Sequence, residues 1–451
     1  MRKLLIANRG EIAVRIISTA HAMDIATVVV CSEADRCSLA ARTAGESVVI
    51  GPPPAQASYL DQQAVLRAAL DTGADAVHPG FGFLSENADF AQSVIDNGLI
   101  WVGPAPAAIR LMGDKVAARE AARAAGVPVL AGSDGPLDPA ADPMHTAEAV
   151  GFPLVIKASA GGGGRGIRLV TRSADFLSAL DLVRAEASAG FGDDTVYLER
   201  FVERARHVEV QVLGDGVRVV HLGDRDCSMQ RRSQKVLEEA PAPDLPDEVR
   251  ERIRGSSVDL AAACHYSGVG TVEFLYDPLR REAAFIEMNT RLQVEHPVTE
   301  MVTGIDLVEQ QLRIARGESL GLAQDEVTLT GHAIESRINA EDPDRDFFPS
   351  PGTISALTWP TGPGVRVDTG VVAGDVVAPF YDSMIAKLIV HAPTRDAAIT
   401  RMSEALRQIE ITGIATTTGL QSDLVARPEF AAVEHHTTFI ESTPGLLKEK
   451  V

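Results

Sequence analysis

At 451 residues the chain is too long for one ordinary core, and its length fits about three domains. Hydrophobic residues make up 45% and charged residues 23%, the balance of a globular protein with ample material to bury. A formal net charge of -20 argues against a nucleic-acid partner, which needs a basic surface against its phosphates, so an anionic substrate must find a local basic pocket.

Cys31, Cys37, Cys227 and Cys264 show no paired metal-ligand spacing and are too few for a disulfide framework, as expected in a reducing cytoplasm. After Met1-Arg2-Lys3 the apolar run Leu4 to Ala7 is stopped by Asn8, Arg9 and Glu11, too early for a signal peptide. No run approaches the roughly 20 apolar residues of a membrane span.

Lys3 to Ala7 reads as a buried strand, Asn8-Arg9-Gly10 as a turn, and Glu11 onward as a helix with Ile12, Ile16 and Ile17 on its apolar side. Ile25 to Cys31 is the next strand, so the chain opens like a parallel α/β sheet. The first turn, N-R-G-E, lacks G-x-G-x-x-G and is not read as an NAD site. The loop His78 to Asn87 follows the strand-like Ala74 to Val77, and such strand ends are where α/β sheets bind ligands, although a glycine-aromatic loop also serves as plain structure. A helical segment runs from Ala107 to Ala125, with a domain boundary expected just before Lys115.

Leu130 to Pro143 is a loop leading into a small unit. There the strand Leu154 to Lys157 precedes A-S-A-G-G-G-G-R-G-I, whose five glycines within six residues leave backbone N–H groups free to wrap polyphosphate beneath a closing lid. No Gly-Lys-Ser/Thr follows, so this is not a Walker loop; a flexible linker is the alternative.

Tyr197 to Val202 is a connector out of that unit, and His207 to Val212 alternates His207, Glu209 and Gln211 against three valines. Gln230 to Lys235 is a basic patch that reads equally as an exposed charge run or an anion site. Thr271 to Tyr276 is a strand carrying Glu273. The stretch F-I-E-M-N-T-R-L-Q-V-E-H-P, Phe285 to Pro297, taken as an extended strand, places Glu287, Asn289, Arg291, Gln293 and Glu295 on a wet face and Ile286, Met288, Leu292 and Val294 on an apolar one. Such a row can hold a divalent cation by oxygen and a small anion by a bidentate fork; an edge strand with cross-strand ion pairs is the bland alternative. Glu273 and Glu287, on neighbouring strands, could share one Mg²⁺ with nucleotide phosphates. From Gly331 the pattern becomes mainly antiparallel, with strands at Ala333 to Ile338, Val365 to Thr369 and Ser383 to Val390 and a helix from Arg395 to Ile409. Arg337 would point at the same centre if its strand docks beside the Glu287 row.

The linked motifs K-A-S-A-G-G-G-G-R-G-I, R-H-V-E-V-Q-V, R-D-C-S-M-Q-R-R-S-Q-K-V-L-E-E-A-P-A-P, F-I-E-M-N-T-R-L-Q-V-E-H-P-V-T-E and Y-D-S-M-I-A-K-L, in this order, resemble those of biotin carboxylase, the ATP-grasp subunit of biotin-dependent carboxylases, from Lys3 to about Ile440. The resemblance implies an α/β fold in three parts: an N-terminal Rossmann-like parallel-sheet domain (1–113), an ATP-grasp domain (114–330) with a mobile lid at about 131–203, and a mainly antiparallel C-terminal domain (331–445). It implies that Lys115, Lys157, Gly161, Gly162, Gly163 and Gly164 contact ATP phosphates, that Glu199 and Val202 hold adenine, and that His207, Gln230, Leu275 and Glu287 line the nucleotide site. Glu273, Glu287 and Asn289 would manage Mg²⁺ or Mn²⁺. Lys235, Arg291, Gln293, Val294 and Glu295 would bind bicarbonate, with Glu295 as general base. Phe81, Gly82 and Arg337 would meet biotin, and Arg337 would stabilise its enolate.

The implied reaction makes carboxyphosphate from ATP and bicarbonate and then carboxylates biotin, the first half-reaction of an acyl-CoA carboxylase. With no A-M-K-M-like biotinylation motif in the sequence, a separate biotin carboxyl carrier protein and a separate carboxyltransferase are expected, with the chain itself a homodimer. Three residues depart from the family pattern: Ser233 for a usual His, where a ribose contact is shortened or replaced, Phe81 for a common Tyr, and Ala160 for a glycine. Another ATP-grasp ligase with a different acceptor, or a nucleotide-binding regulatory subunit without turnover, are the alternative readings.

Overall fold

The computed structural model describes residues 1–133, 135–138, 141–158 and 167–446. Strands β1 (Lys3–Ile6), β2 (Ala26–Ser32), β3 (Glu46–Gly51), β4 (Ala76–His78) and β5 (Ile100–Trp101) form an all-parallel sheet in the order β3-β2-β1-β4-β5. Leu4, Leu5 and Ile6 of the central strand are wholly buried, because a parallel sheet is covered on both faces by its crossover helices. Helix α1 (Gly10–Ala22) buries Ile12, Ile16 and Ile17 as its spacing requires. The loop after β4 is stapled to the first βα turn, since Asn8 Nδ2 donates to the carbonyls of Pro79 and Phe81, each at 2.7 Å. Gly80 has φ +64°, and a Cβ there would lie 2.7 Å from Asn8 Nδ2, so only glycine permits this approach.

Helix α2 (Lys115–Ala124) leads toward a smaller antiparallel sheet of β6 (Leu154–Ala158), β7 (Ile167–Val170) and β8 (Val196–Arg200), ordered β7-β6-β8. This sheet has its own apolar core around Ile156, Phe176, Leu180 and Leu198. The expected phosphate loop, Gly161, Gly162, Gly163 and Gly164, lies outside the described residues, as does Ala160.

The third sheet is antiparallel and eight-stranded: β9 (Arg206–Asp215), β10 (Val219–Arg231), β11 (Gln234–Ala240), β12 (Ser267–Asp277), β13 (Glu282–Asn289), β14 (His332–Asn339), β15 (Val365–Thr369) and β16 (Met384–Ala392), ordered β13-β12-β9-β10-β11-β14-β16-β15. Its last three strands come from the segment after Gly331, and β11 pairs with β14 from Leu237↔Ser336 to Ala240↔Ala333. The change of sequence character at Gly331 therefore falls inside a continuous sheet, because the open edge of β11 needs a partner strand.

The stretch from Phe285 to Pro297 is not one strand. β13 ends at Asn289, residues 290–295 leave the ladder, and helix α3 (His296–Thr303) follows with Pro297 in its first turn, where a missing N–H costs nothing. Ile286 does not face the apolar side either. The register jumps from Glu273↔Glu287 to Phe274↔Phe285, so Ile286 is the extra residue of a bulge and is 42% exposed. The polar face is only half wet: Asn289, Gln293 and Glu295 are buried, because α3 and the neighbouring segments cover that end, whereas Glu287 and Arg291 are half-buried and line a cleft.

Candidate active site

The order β12-β9-β10-β11-β14 lays Glu273, Glu209 with His207, Gln230, Lys235 and Arg337 across consecutive strands. The β10–β11 turn at Arg232 and Ser233, both in the left-handed region with φ 49° and 63°, sets Gln230 opposite Lys235. Lys235 is the hub: its Nζ donates to Glu209 Oε2 at 2.6 Å, Glu295 Oε1 at 2.5 Å and Glu273 Oε1 at 3.1 Å. Arg337 Nη2 donates to Glu295 Oε2 at 3.1 Å and its Nε to Glu238 Oε1 at 2.5 Å. His207 Nε2 sits 3.1 Å from Glu273 Oε2, and its Nδ1 is 3.1 Å from Gln230 Nε2.

Burial would discharge Glu295, but Lys235, Arg337 and Arg225 outweigh burial and the nearby Glu209 and hold its carboxyl below the usual carboxylate range. Burial alone would lower His207, yet Glu273 chiefly raises it to about 9, which favours the charged ring on the Nε2 side, while Nδ1 faces the Gln230 amide nitrogen. Lys235 is raised well above its ordinary value, burial being overcome by Glu209, Glu273 and Glu295. Glu238 is pushed up to about 7 by burial, which Arg337 only partly offsets. An ionised carboxylate gripped by two cations beside further donors is an anion-binding centre with a proton acceptor in place.

Past β13, Arg291 spreads its guanidinium over three acceptors: Nε to Glu86 Oε2 at 2.9 Å, Nη1 to Gln293 Oε1 at 2.7 Å and Nη2 to Asn289 Oδ1 at 2.8 Å. Asn289 Nδ2 and Gln293 Nε2 then donate to Glu273 Oε1 at 2.9 and 3.0 Å. The row expected from strand alternation thus converges by another route, through a turn tied down by its own polar side chains. Two groups of side chains have metal-ligand spacing among the described residues, His207 with Glu209 and Glu273, and Glu209 with Cys227 and Glu295. The Lys235 ammonium already supplies the positive charge at both. The carboxylate with room for a cation is Glu287, which lies across the ladder from Glu273, lines the cleft, and accepts no hydrogen bond among the described residues.

A cleft of about 840 Å³ is lined by Phe81, Gly82, His207, Gln230, Lys235, Glu273, Leu275, Glu287, Asn289, Arg291, Gln293, Val294, Glu295 and Arg337. Leu275 also lines a neighbouring cavity of about 270 Å³ with Val202, Val129 and Leu130, whose rim carries the charged Arg200, Arg252, Asp277 and Glu282. Lys115, Lys157 and Glu199 do not line the main cleft. Lys115 is exposed at the start of α2, and its charge acts on Glu287. Glu199 accepts from Arg119 Nη1 at 2.6 Å and pairs with Lys157 across β6 and β8.

Sequence reasoning missed several members of the site. Arg225 is wholly buried beneath it and donates to Glu209, Gln211, Thr299 and Thr271 at 2.7 to 3.1 Å. Its place in R-D-C-S-M-Q, in register with Glu209, was the available signal. Glu238 falls on the opposite face from Lys235 by simple alternation and joins the site only through the register shift between Gln230↔Lys235 and Met229↔Leu237, whereas Glu86, in the loop after β4, was within reach.

Family models match three consecutive parts of the chain: "Biotin carboxylase, N-terminal domain" over residues 1–109, "Carbamoyl-phosphate synthase L chain, ATP binding domain" over 114–323, and "Biotin carboxylase C-terminal domain" over 335–442. A biotin carboxylase of Nostoc is 50% identical over 440 residues, covering 97% of this chain and 98% of the relative. One from Allochromatium vinosum is 51% identical over 451 residues, covering 99% of each. Among solved structures, the biotin carboxylase domain dimer of Hydrogenobacter thermophilus 2-oxoglutarate carboxylase, in complex with MgADP, ADP and bicarbonate, is 42% identical, covers 100% of this chain and 99% of its own, and superposes with a TM-score of 0.90.

Proposed function

Since the chain belongs to the biotin carboxylase family, we propose that the cleft built around Lys235 and Glu295 forms carboxyphosphate from ATP and bicarbonate and passes its CO₂ to biotin on a carrier protein. The chain is an ATP-dependent ligase of this family. The observation that carries the residue assignment is the position of Glu295, ionised, buried and gripped by Lys235 and Arg337 at the edge of one cleft.

Bicarbonate lies against Arg291, Gln293 and the Val294 backbone, with Lys235 countering its charge. Glu295 takes its proton, and the freed oxygen attacks the γ-phosphorus of ATP, releasing ADP. Carboxyphosphate breaks to CO₂ and phosphate; the phosphate removes the ureido proton of biotin, Arg337 steadies the enolate beside Phe81 and Gly82, and the ureido nitrogen captures CO₂. Exclusion of water matters because hydrolysis would waste the mixed anhydride.

Nucleotide binding is assigned to Lys115, Lys157, Glu199, Val202, His207, Gln230 and Leu275, with the glycines 161 to 164 over the phosphates. The cavity shared by Val202 and Leu275 supports a place for the adenine. For Mg²⁺ the residues fit unevenly: Glu287 offers an open carboxylate, whereas Glu273 and Asn289 must exchange present partners to take part. The ion would neutralise charge on the phosphoryl oxygens.

The division into units at 1–113, 114–330 and 331–445 is supported by the three family-model spans. A biotinylated carrier and a transferase are proposed as partners on separate chains, a reading supported by bacterial relatives named biotin carboxylase that are matched over 98 and 99% of their own length. A homodimer is proposed from the dimeric relative. No helix among the described residues is long and apolar enough to cross a membrane. ADP release measured with and without bicarbonate, free biotin and purified carrier tests the reading: turnover must need bicarbonate and rise with biotin, and a rate indifferent to both rejects it.

A further inference from the structure

Lys387 is wholly buried in the middle of β16, directly opposite Arg337 on β14 and Asp368 on β15. Directly opposed residues of antiparallel strands project to the same face, so Arg337 and Lys387 are two adjacent cations aimed at one segment. Arg337 bonds the Glu295 carboxylate at 3.1 Å, while Lys387 Nζ donates to the Val294 carbonyl at 2.7 Å. That carbonyl belongs to the peptide unit that leads into Glu295. Because the unit is planar and stiff, fixing its oxygen fixes the plane in which Glu295 Cα sits, and the start of α3, with Glu295 at φ −81°, sets the remaining rotation of its side chain.

The polar side chains of Arg291, Asn289 and Gln293 tie down the start of the segment, and Lys387 holds its end. Residues 290–295 lie between β13 and α3 without ladder partners of their own. A buried ammonium is costly unless it is paired and hydrogen-bonded, and the carboxylate nearest to Lys387 is Glu11 of α1, with Oε2 at 3.3 Å. Glu11 is itself buried and pushed up to about 7 by that burial, with Lys387 opposing the rise, and neither oxygen has a donor other than Lys387 among the described residues. The pair is therefore loosely matched and expensive for packing alone.

Resting on the assignment of Glu295 as the base, we infer that Lys387, supported by Glu11, is a positioning residue that clamps the Val294–Glu295 peptide and so aims the Glu295 carboxylate between Lys235 and Arg337. Lys387 does not line the cleft. It couples the parallel N-terminal sheet, through α1, to the geometry of the proton acceptor.

The test uses the full chain with Lys387→Met, Glu11→Gln and Glu295→Gln, reading bicarbonate-dependent turnover per folded molecule and, by calorimetry, ATP affinity. Lys387→Met is expected to lower kcat at least about tenfold while the Kd for ATP stays within about twofold, as misaimed reacting groups cost rate more than binding. A merely structural role would lower the folded fraction and leave kcat per folded molecule unchanged. Glu11→Gln, which keeps shape and removes charge, is expected to lower kcat in the same direction by a smaller factor, and it decides the matter if Lys387→Met does not fold. Wild-type kcat in the folded variant overturns the inference. Should Glu295→Gln itself retain turnover, the assignment of the base fails; should it be inactive while the other two are normal, only the clamp fails.

Discussion

Glu273 and Glu287 face each other across the β12–β13 ladder, yet only Glu273 is satisfied. It is met by Lys235, Asn289, Gln293 and His207 within 3.1 Å, whereas Glu287 has no hydrogen-bond donor among the described residues and is pushed upward by burial and by Glu273 itself. Two acids on one ladder therefore have different work. Glu287→Gln is expected to raise the Mg²⁺ concentration for half-maximal ATP turnover by about tenfold, with stability within about 1 kcal/mol of wild type, because no donor is orphaned. Glu273→Gln strips the countercharge from His207 and Lys235 and is expected to cost about 3 kcal/mol as well as activity. Mg²⁺ titrations beside urea unfolding separate the two cases.

Lys235 compensates three buried carboxylates, Glu209, Glu273 and Glu295. Lys235→Met leaves them facing one another with the cation gone. We expect a loss of about 3–5 kcal/mol, the usual result of breaking a buried ion pair from one side. Glu295 is held low in the native protein, so its contribution is present above the ordinary carboxylate pKa and lost as pH falls. Without Lys235 that loss begins at higher pH. Denaturation midpoints between pH 4 and 8, compared with wild type, check both statements.

His207 gives the opposite slope. Its native value of about 9 lies above the 6.5 of an unperturbed ring, so its stabilisation is complete below 6.5 and lost as pH rises through 9. The span corresponds to about 3 kcal/mol. His207→Gln is expected to flatten the decline of stability between pH 7 and 9; an unchanged slope would show that the imidazolium does not form.

The sequence exposed the strands and the residue types but not the path of the chain through the site. Alternation correctly placed Val208, Val210 and Val212 in the core and His207, Glu209 and Gln211 opposite them, because an antiparallel strand with one apolar face has only one register that buries it. The same rule failed after Asn289. A bulge and a helix-starting proline are decisions of packing and turn chemistry, and a period-two pattern continued through them by coincidence of composition. Lys387 stood in the motif Y-D-S-M-I-A-K-L, but its partner Glu11 lies 376 positions away, and nothing local to either marks them as a pair. Alternation in Ala333 to Ile338 aimed Arg337 at the Glu287 row on the condition that this strand docks beside it, and the motif order added its role at biotin before any strand pairing was known.

Arg291 is the residue on which the anion site depends for shape. Its three acceptors come from the β4 loop, β13 and the following turn, and they fix the plane of the guanidinium. A lysine ammonium carries the same charge but cannot fill that planar fork, so Arg291→Lys isolates geometry from charge. We expect the KM for bicarbonate to rise about tenfold, the scale of one bidentate anion contact, with the KM for ATP little changed. The stability cost should stay below about 1 kcal/mol, because the Glu86 partner is 41% exposed and its pairing is screened by water. Bicarbonate saturation curves at fixed ATP decide the point. If the variant saturates at the wild-type bicarbonate concentration, Arg291 organises the turn through Asn289 and Gln293 without touching the substrate, and the anion must be held by Lys235 and the backbone alone.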